Sequence, residues 1–241
     1  MSLLLEIKKL KRTGFFPAFL IGAILAACFP IINTAARPEN FINQNLPTLD
    51  ILMNANWQMI AMLNMFFLVI GSCIIYHTEF ADHAMQKMEA LPQSIGKLFI
   101  NKTLILIGSI IFALIIEAAS FIFCAYYWFN TDNSFLLDIL KYFEYEFILL
   151  IPSVLLIMII ASLCQNMWIS LGIGVIGVFI ATMLPTDNLI LSFFPFAMPF
   201  QTLSESIDSS WILSFIIAGG IENIIFGIIE ACILKVRRNI A

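Results

Sequence analysis

Three carboxylates stand inside stretches of chain that are otherwise apolar, and they are the first candidates for chemistry. Glu117 lies mid-way along one hydrophobic run and Glu222 mid-way along another. At about 1.5 Å per helical residue the two reach similar depth. Glu230 lies nearer the end of its run. An acid held away from water is costly and must face protein or a wet cavity, where it can bind a cation or a proton. The alternative is a hydrogen-bonded acid that helps helices associate through neighbours such as Ser120 or Asn223, and for Glu230, which can reach the interface, that alternative is preferred.

Other reactive patterns are poorly formed. His77, Glu79, Asp82 and His83 follow no HExxH spacing and read as the charged face of a surface helix. Cys28, Cys73, Cys124, Cys164 and Cys232 are scattered singly, with no CxxC, so neither a disulfide framework nor a zinc site is expected. Gly96-Lys97 lacks both the Ser or Thr that should follow and the glycine that should precede in a phosphate loop. No GxSxG elbow occurs. The expectation is therefore no catalytic residue, no metal and no cofactor bound by this chain.

The elements that position these residues follow from composition. Of 241 residues 61% are hydrophobic and 12% charged, and mean hydropathy is +0.97. That excludes an ordinary water-soluble domain. Continuous apolar runs of about 20 residues, rather than about ten alternating ones, select helices over a barrel. The expected fold class is all-α, a polytopic membrane protein with spans at 15–34, 56–76, 103–129, 145–164, 168–184 and 211–234, treated as one transmembrane domain over 1–241. Residues 2–13 read as an interfacial helix, with Leu3, Leu4, Ile7 and Leu10 opposite Lys8, Lys9, Lys11 and Arg12. The run ending Leu25-Ala26-Ala27-Cys28 imitates a lipoprotein signal, but the apolar stretch continues past the cysteine.

Orientation follows from the basic residues. With both termini inside, every one of the 12 lysines and arginines except Arg37 and Lys141 is cytoplasmic. Trp57, Trp128, Trp168 and Trp211 fall at expected span ends, where an amphipathic ring is most stable. The stretch 78–99 between the second and third spans is then cytoplasmic. In it Phe80, Ala81, Ala84, Met85 and Met88 share one helical side opposite Glu79, Asp82, His83, Gln86, Lys87 and Glu89. Pro92 restarts the helix where a missing N–H costs nothing. A surface helix between two spans is a place for another protein to push.

Two further patterns concern packing. Gly14, Ala18, Gly22 and Ala26 recur every fourth residue, and Ser170, Gly174, Gly177 and Ala181 follow four, three, four. Such seams let backbones approach closely, either between subunits or within the chain. The stretch 185–210 is apolar but broken by Pro195 and Pro199, and reads as a re-entrant or interfacial exoplasmic piece carrying Phe193, Phe194, Phe196 and Phe200.

This layout, with the string Lys87-Met88-Glu89-Ala90-Leu91-Pro92-Gln93-Ser94 followed by Phe99-Ile100-Asn101-Lys102, resembles the ABC-2 type permeases, and within them the permease subunits of lantibiotic-immunity and bacitracin-type peptide exporters. The resemblance implies a partner set: two copies of a cytoplasmic ATPase that carries ATP and Mg, and a second, non-identical permease. It implies that Glu79, Phe80, Met85, Met88, Leu91 and Pro92 form a coupling helix seated in the ATPase. It implies that the first and fifth spans meet counterparts across the permease dimer. It also implies a bacterial cytoplasmic membrane location and a cationic antimicrobial peptide as substrate, giving immunity or antibiotic resistance. It implies further that Phe193, Phe194, Phe196 and Phe200 contact the peptide or membrane lipid, and nucleic acid is not a partner. The rival readings are an ABC-2 exporter of lipid, polysaccharide or drug and, in another class, a membrane sensor or scaffold.

Overall fold

Gly14 is the one glycine among the described residues with a positive φ, 77°. A left-handed backbone is open to glycine at little cost, and here it lets a short surface helix turn into the first long one. The computed structural model describes residues 3–42, 44, 46–80, 95–129, 135–184, 188–203 and 209–240, and among these it is helical without a strand. The elements are α1 (Leu3–Leu10), α2 (Phe15–Ala36), α3 (Pro38–Ile42), α4 (Thr48–Phe80), α5 (Ile95–Trp128), α6 (Phe135–Leu163), α7 (Met167–Met183), α8 (Leu189–Ser192), a 3₁₀ turn (Met198–Phe200) and α9 (Ser209–Ile240). Five of them, α2, α4, α5, α6 and α9, are long and apolar enough to cross a membrane. The shorter α7 is apolar throughout.

The long helices overrun the spans read from the sequence. The stretch 48–55, expected as loop, is the first part of α4, and 135–144 is the first part of α6. The reason is tertiary. Asp50 looks like a loop residue and Asn56 opens the expected span, yet both are buried on α4, and Asn33 Nδ2 on α2 donates to Asn56 Oδ1 at 2.8 Å. Trp57 packs edge-on against Tyr142 of α6 with ring centroids 4.8 Å apart. Packing of this kind supplies what helix propensity alone cannot.

The centre of the bundle is α4, which touches α2, α5, α6, α7 and the 3₁₀ turn, while α2 lies along α5 and α9 along α6. Along α4, Ile60, Met65, Leu68, Val69 and Cys73 are fully buried. Close approach is bought by glycine: a Cβ on Gly71 would lie 2.6 Å from the Phe19 ring, and one on Gly174 would lie 2.6 Å from Val69. Asn166 caps α7 by accepting from Trp168 N at 2.9 Å, so the turn from α6 into α7 is tight. By contrast α9 is largely exposed, with Ile217, Ile221, Ile224 and Ile228 on its outer face.

The proline-broken stretch folds inward. Ser153 Oγ of α6 donates to Pro195 O at 2.6 Å, Phe196 and Met198 are buried, and Gly177 of α7 lies against the Phe196 ring. Residues 193–200 thus pack among α4, α6 and α7 instead of lying flat outside them.

Candidate functional site

At the end of the bundle where α4 stops and α5 starts, four charged side chains meet. They come from three elements: Glu6 and Lys9 from α1, Glu79 from the last turn of α4, and Lys102 from the second turn of α5. Lys102 Nζ lies 3.0 Å from Glu79 Oε1 and 3.6 Å from Glu6 Oε2. Lys9 Nζ lies 3.1 Å from Glu79 Oε1 and 3.1 Å from Glu6 Oε1. Glu6, Glu79 and Lys102 are each only 1% exposed. Two acids and two bases make a neutral cluster, which is the condition under which charges tolerate burial.

Local sequence explains the convergence. Glu6 and Lys9 are three apart on α1 and so share a side, the one that also buries Leu10. The Lys102 ammonium additionally donates to Ile75 O at 3.0 Å and sits 5.3 Å from the centroid of the Tyr76 ring. Tyr76 in turn stacks on Phe80 at 6.4 Å. The cluster therefore ties α1 to both flanks of the segment 81–94. Of the coupling residues expected there, Glu79 is a member of the cluster and Phe80 is half-buried beside it, while Met85, Met88, Leu91 and Pro92 lie outside the described residues. Next to the same end is a cleft of about 780 Å³ lined by Thr13, Ile74, His77, Thr78, Gln165, Asn166, Met167 and Trp168.

Inside the bundle, Glu117 of α5 is fully buried. Its partner is on α4: Asn64 Nδ2 donates to Glu117 Oε2 at 3.0 Å and to Glu146 Oε1 of α6 at 2.9 Å. The sequence reading set Glu117 beside Glu222 by depth. In the structure Glu222 is partly buried on α9 with Oε2 lacking a hydrogen-bond partner, and no bond joins it to Glu117. Glu230 is buried and has a partner of its own.

The small-residue seams divide by environment. Gly22 and Ala26 are buried within the chain, Gly22 against Phe67, and so are Ser170, Gly174, Gly177 and Ala181. Gly14 and Ala18 are exposed. Among the phenylalanines, Phe196 is buried against Gly177, whereas Phe193, Phe194 and Phe200 are half-buried, Phe193 resting edge-on against Phe215 at 5.5 Å. The internal placement of Gly22, Ala26, Gly174 and Gly177 puts them to work bringing this chain's own helices together.

Sequence reasoning missed Glu6, Lys9, Lys102, Asn64 and Glu146 as site residues. Glu146 is an acid beside the expected start of the 145–164 span, and its position there gave no sign of burial. Lys102 counted toward orientation and toward the family resemblance, with no partner assigned to it. A signal did exist for Asn64, the lone amide within the apolar run 59–75.

The family model described as "ABC-2 family transporter protein" matches residues 2–181. Neither a curated protein nor a solved structure matches the chain.

Proposed function

Because the chain belongs to the ABC-2 family of transporter proteins, a multi-pass membrane transport component whose ATP hydrolysis is carried by separate subunits, we propose that it is the permease of a peptide exporter. In this reading it works with two cytoplasmic ATPase subunits and a second, non-identical permease. It expels a cationic antimicrobial peptide from a bacterial cytoplasmic membrane and so confers immunity.

The observation that carries the coupling part is the charge cluster of Glu6, Lys9, Glu79 and Lys102. Force applied to a segment is transmitted only if its ends are stiff. Here Glu79 just before 81–94 and Lys102 just after it are joined to each other at 3.0 Å and to α1 through Glu6 and Lys9. An ATPase gripping Met85, Met88, Leu91 and Pro92 therefore moves α4, α5 and α1 together. Rigid-body shifts of packed helices are how such small displacements reach a distant face.

The substrate class is supported by charge. With both termini cytoplasmic, the outer connections and the outer end of α6 carry Glu39, Asp132, Asp138, Glu144, Asp187, Glu205 and Asp208 against Arg37 and Lys141. An acidic rim raises the local concentration of a cationic peptide. Ile190 and Leu191, just after Asp187 in the sequence, are exposed and Phe193, Phe194 and Phe200 half-buried, an apolar surface for the peptide's other face or for lipid. The second permease is assigned to the outward faces of α2 and α7, where Ile21, Leu25, Ile173 and Ile176 are exposed.

The test is co-purification. Met85→Asp with Met88→Asp is expected to abolish recovery of an ATPase subunit in mild detergent while membrane insertion is retained. Normal recovery of the ATPase overturns the coupling assignment.

A further inference from the structure

The cluster of Glu117, Asn64 and Glu146 has no part in the account above, and its hydrogen-bond arithmetic does not close. All three side chains are at 0% exposure. Asn64 Nδ2 carries two hydrogens and spends both, one on each carboxylate. What remains is Glu117 Oε1, Glu146 Oε2 and Asn64 Oδ1, each buried and without a partner. Every open position in the cluster is thus an acceptor. Among the described residues no lysine or arginine pairs with either acid.

The surroundings supply nothing to balance the charge. No charged residue occurs in α2 or α7, and Glu6 and Lys9 of α1, which also touches α4, meet Glu79 and Lys102 at the end of the bundle where α4 stops. On α6 the titratable neighbour is Tyr142, one turn before Glu146, and beyond it on α4 is Asp50. On α9, Glu222 makes no hydrogen bond to the pair. Two carboxylates and an amide oxygen, shut away from water with no base, call for a cation. A hard metal ion takes roughly six to eight oxygen ligands. A proton needs two acceptors, one to bond and one to receive the hydrogen bond, and the free oxygens provide them.

We propose that Glu117, Glu146 and Asn64 form an intramembrane proton-binding site, in which one proton is bonded to a carboxyl oxygen of one glutamate and donated to a free oxygen of the cluster. The proton lets α4, α5 and α6 close on one another: with it the carboxyl pair is a hydrogen-bonded joint, and without it two negative charges face each other across three helices. Separation of these helices admits water and releases the proton, so the closed arrangement and the bound proton are linked. This inference does not depend on which substrate is exported.

Infrared spectroscopy on the full chain in nanodiscs, with its partner subunits, reads the site directly through the C=O stretch of protonated carboxyl groups at neutral pH. The wild-type protein is expected to show that band with slow exchange in D2O. Glu117→Gln and Glu146→Gln each reduce it, and the double variant removes that component, while Glu222→Gln leaves it in place. A glutamine amide donates as a protonated acid does, so the single variants are expected to fold and to insert. Absence of any slowly exchanging protonated-carboxyl band in the wild-type protein, a reading that needs no variant, overturns the proposal. So does a band left unchanged in the folded double variant. In parallel, wild type and Glu117→Gln are melted in sodium, potassium, calcium or choline chloride. No cation-specific rise in Tm is expected, and a rise confined to wild type in one metal salt overturns the proton in favour of that metal ion.

Discussion

Removal of Lys102 from the charge cluster is the sharpest perturbation available. Lys102→Met keeps the length and apolar stem of the side chain and deletes only the ammonium. The cluster passes from neutral to one net negative charge, with Glu6 and Glu79 still 1% exposed. At an effective dielectric of about 20, contacts at 3.0 and 3.6 Å each represent roughly 5 kcal/mol of gross attraction. Much of that gross figure is offset by the cost of taking the lysine out of water. The net loss on deleting one partner of a buried pair is about 3–5 kcal/mol, because the remaining acid is left uncompensated. The hydrogen bond to Ile75 O is lost as well. Two controls isolate the charge. Glu79→Gln alone leaves the cluster one positive charge in excess, and the Lys102→Met, Glu79→Gln double variant returns it to neutrality. The double variant is therefore expected to be more stable than the sum of the single effects. The assay is denaturant unfolding of the purified chain in detergent, followed by tryptophan fluorescence, in the same preparation used for ATPase co-purification. Destabilisation by Lys102→Met of under about 0.5 kcal/mol, the range of ordinary surface substitutions, together with additive single effects, refutes the buried network and with it the mechanical joint at the ends of 81–94.

Two other expectations concern the inward-folded stretch 193–200. Gly177→Leu drives a side chain into the Phe196 ring, which even a Cβ would overlap, and is expected to cost about 1–3 kcal/mol through overpacking; a melting temperature equal to wild type counts against the burial of Phe196. Ser153→Ala deletes the 2.6 Å bond to Pro195 O and leaves that carbonyl unpaired, an expected cost of about 1–3 kcal/mol. Faster proteolysis within 188–203 in the Ser153→Ala variant, with α6 unaffected, is the matching local readout.

The legible part of this protein was everything that depends on near neighbours in the chain. A helix in lipid must satisfy its own backbone, so runs of apolar residues declare themselves as α2, α5, α6 and α9 whatever they pack against. The amphipathic spacing of α1 is likewise local. Even the acid Glu117 stood out, since an ionisable group in an apolar run is costly wherever it ends up. The shortfall at helix ends has the same origin. Asp50 is a weak helix former by type, and its burial makes it part of α4, while Asn56, where the expected span began, is tied to α2 by Asn33.

Partnership was decided elsewhere. Glu117 and Asn64 are 53 positions apart, Asn64 and Glu146 are 82 apart, and Lys9 and Glu79 are 70 apart. No periodicity spans such distances. Whether a carboxylate is a paired charge, a shared-proton joint or a solvated ornament depends on what faces it, and that is fixed when helices dock. The same holds for the glycine seams: spacing showed that something approaches closely, and only docking showed that for Gly22 and Gly177 the approaching groups are Phe67 and Phe196 of the same chain. Local chemistry names the residues that cannot be left alone, and tertiary packing names their company, because pairing energy acts through space and the chain reports only order.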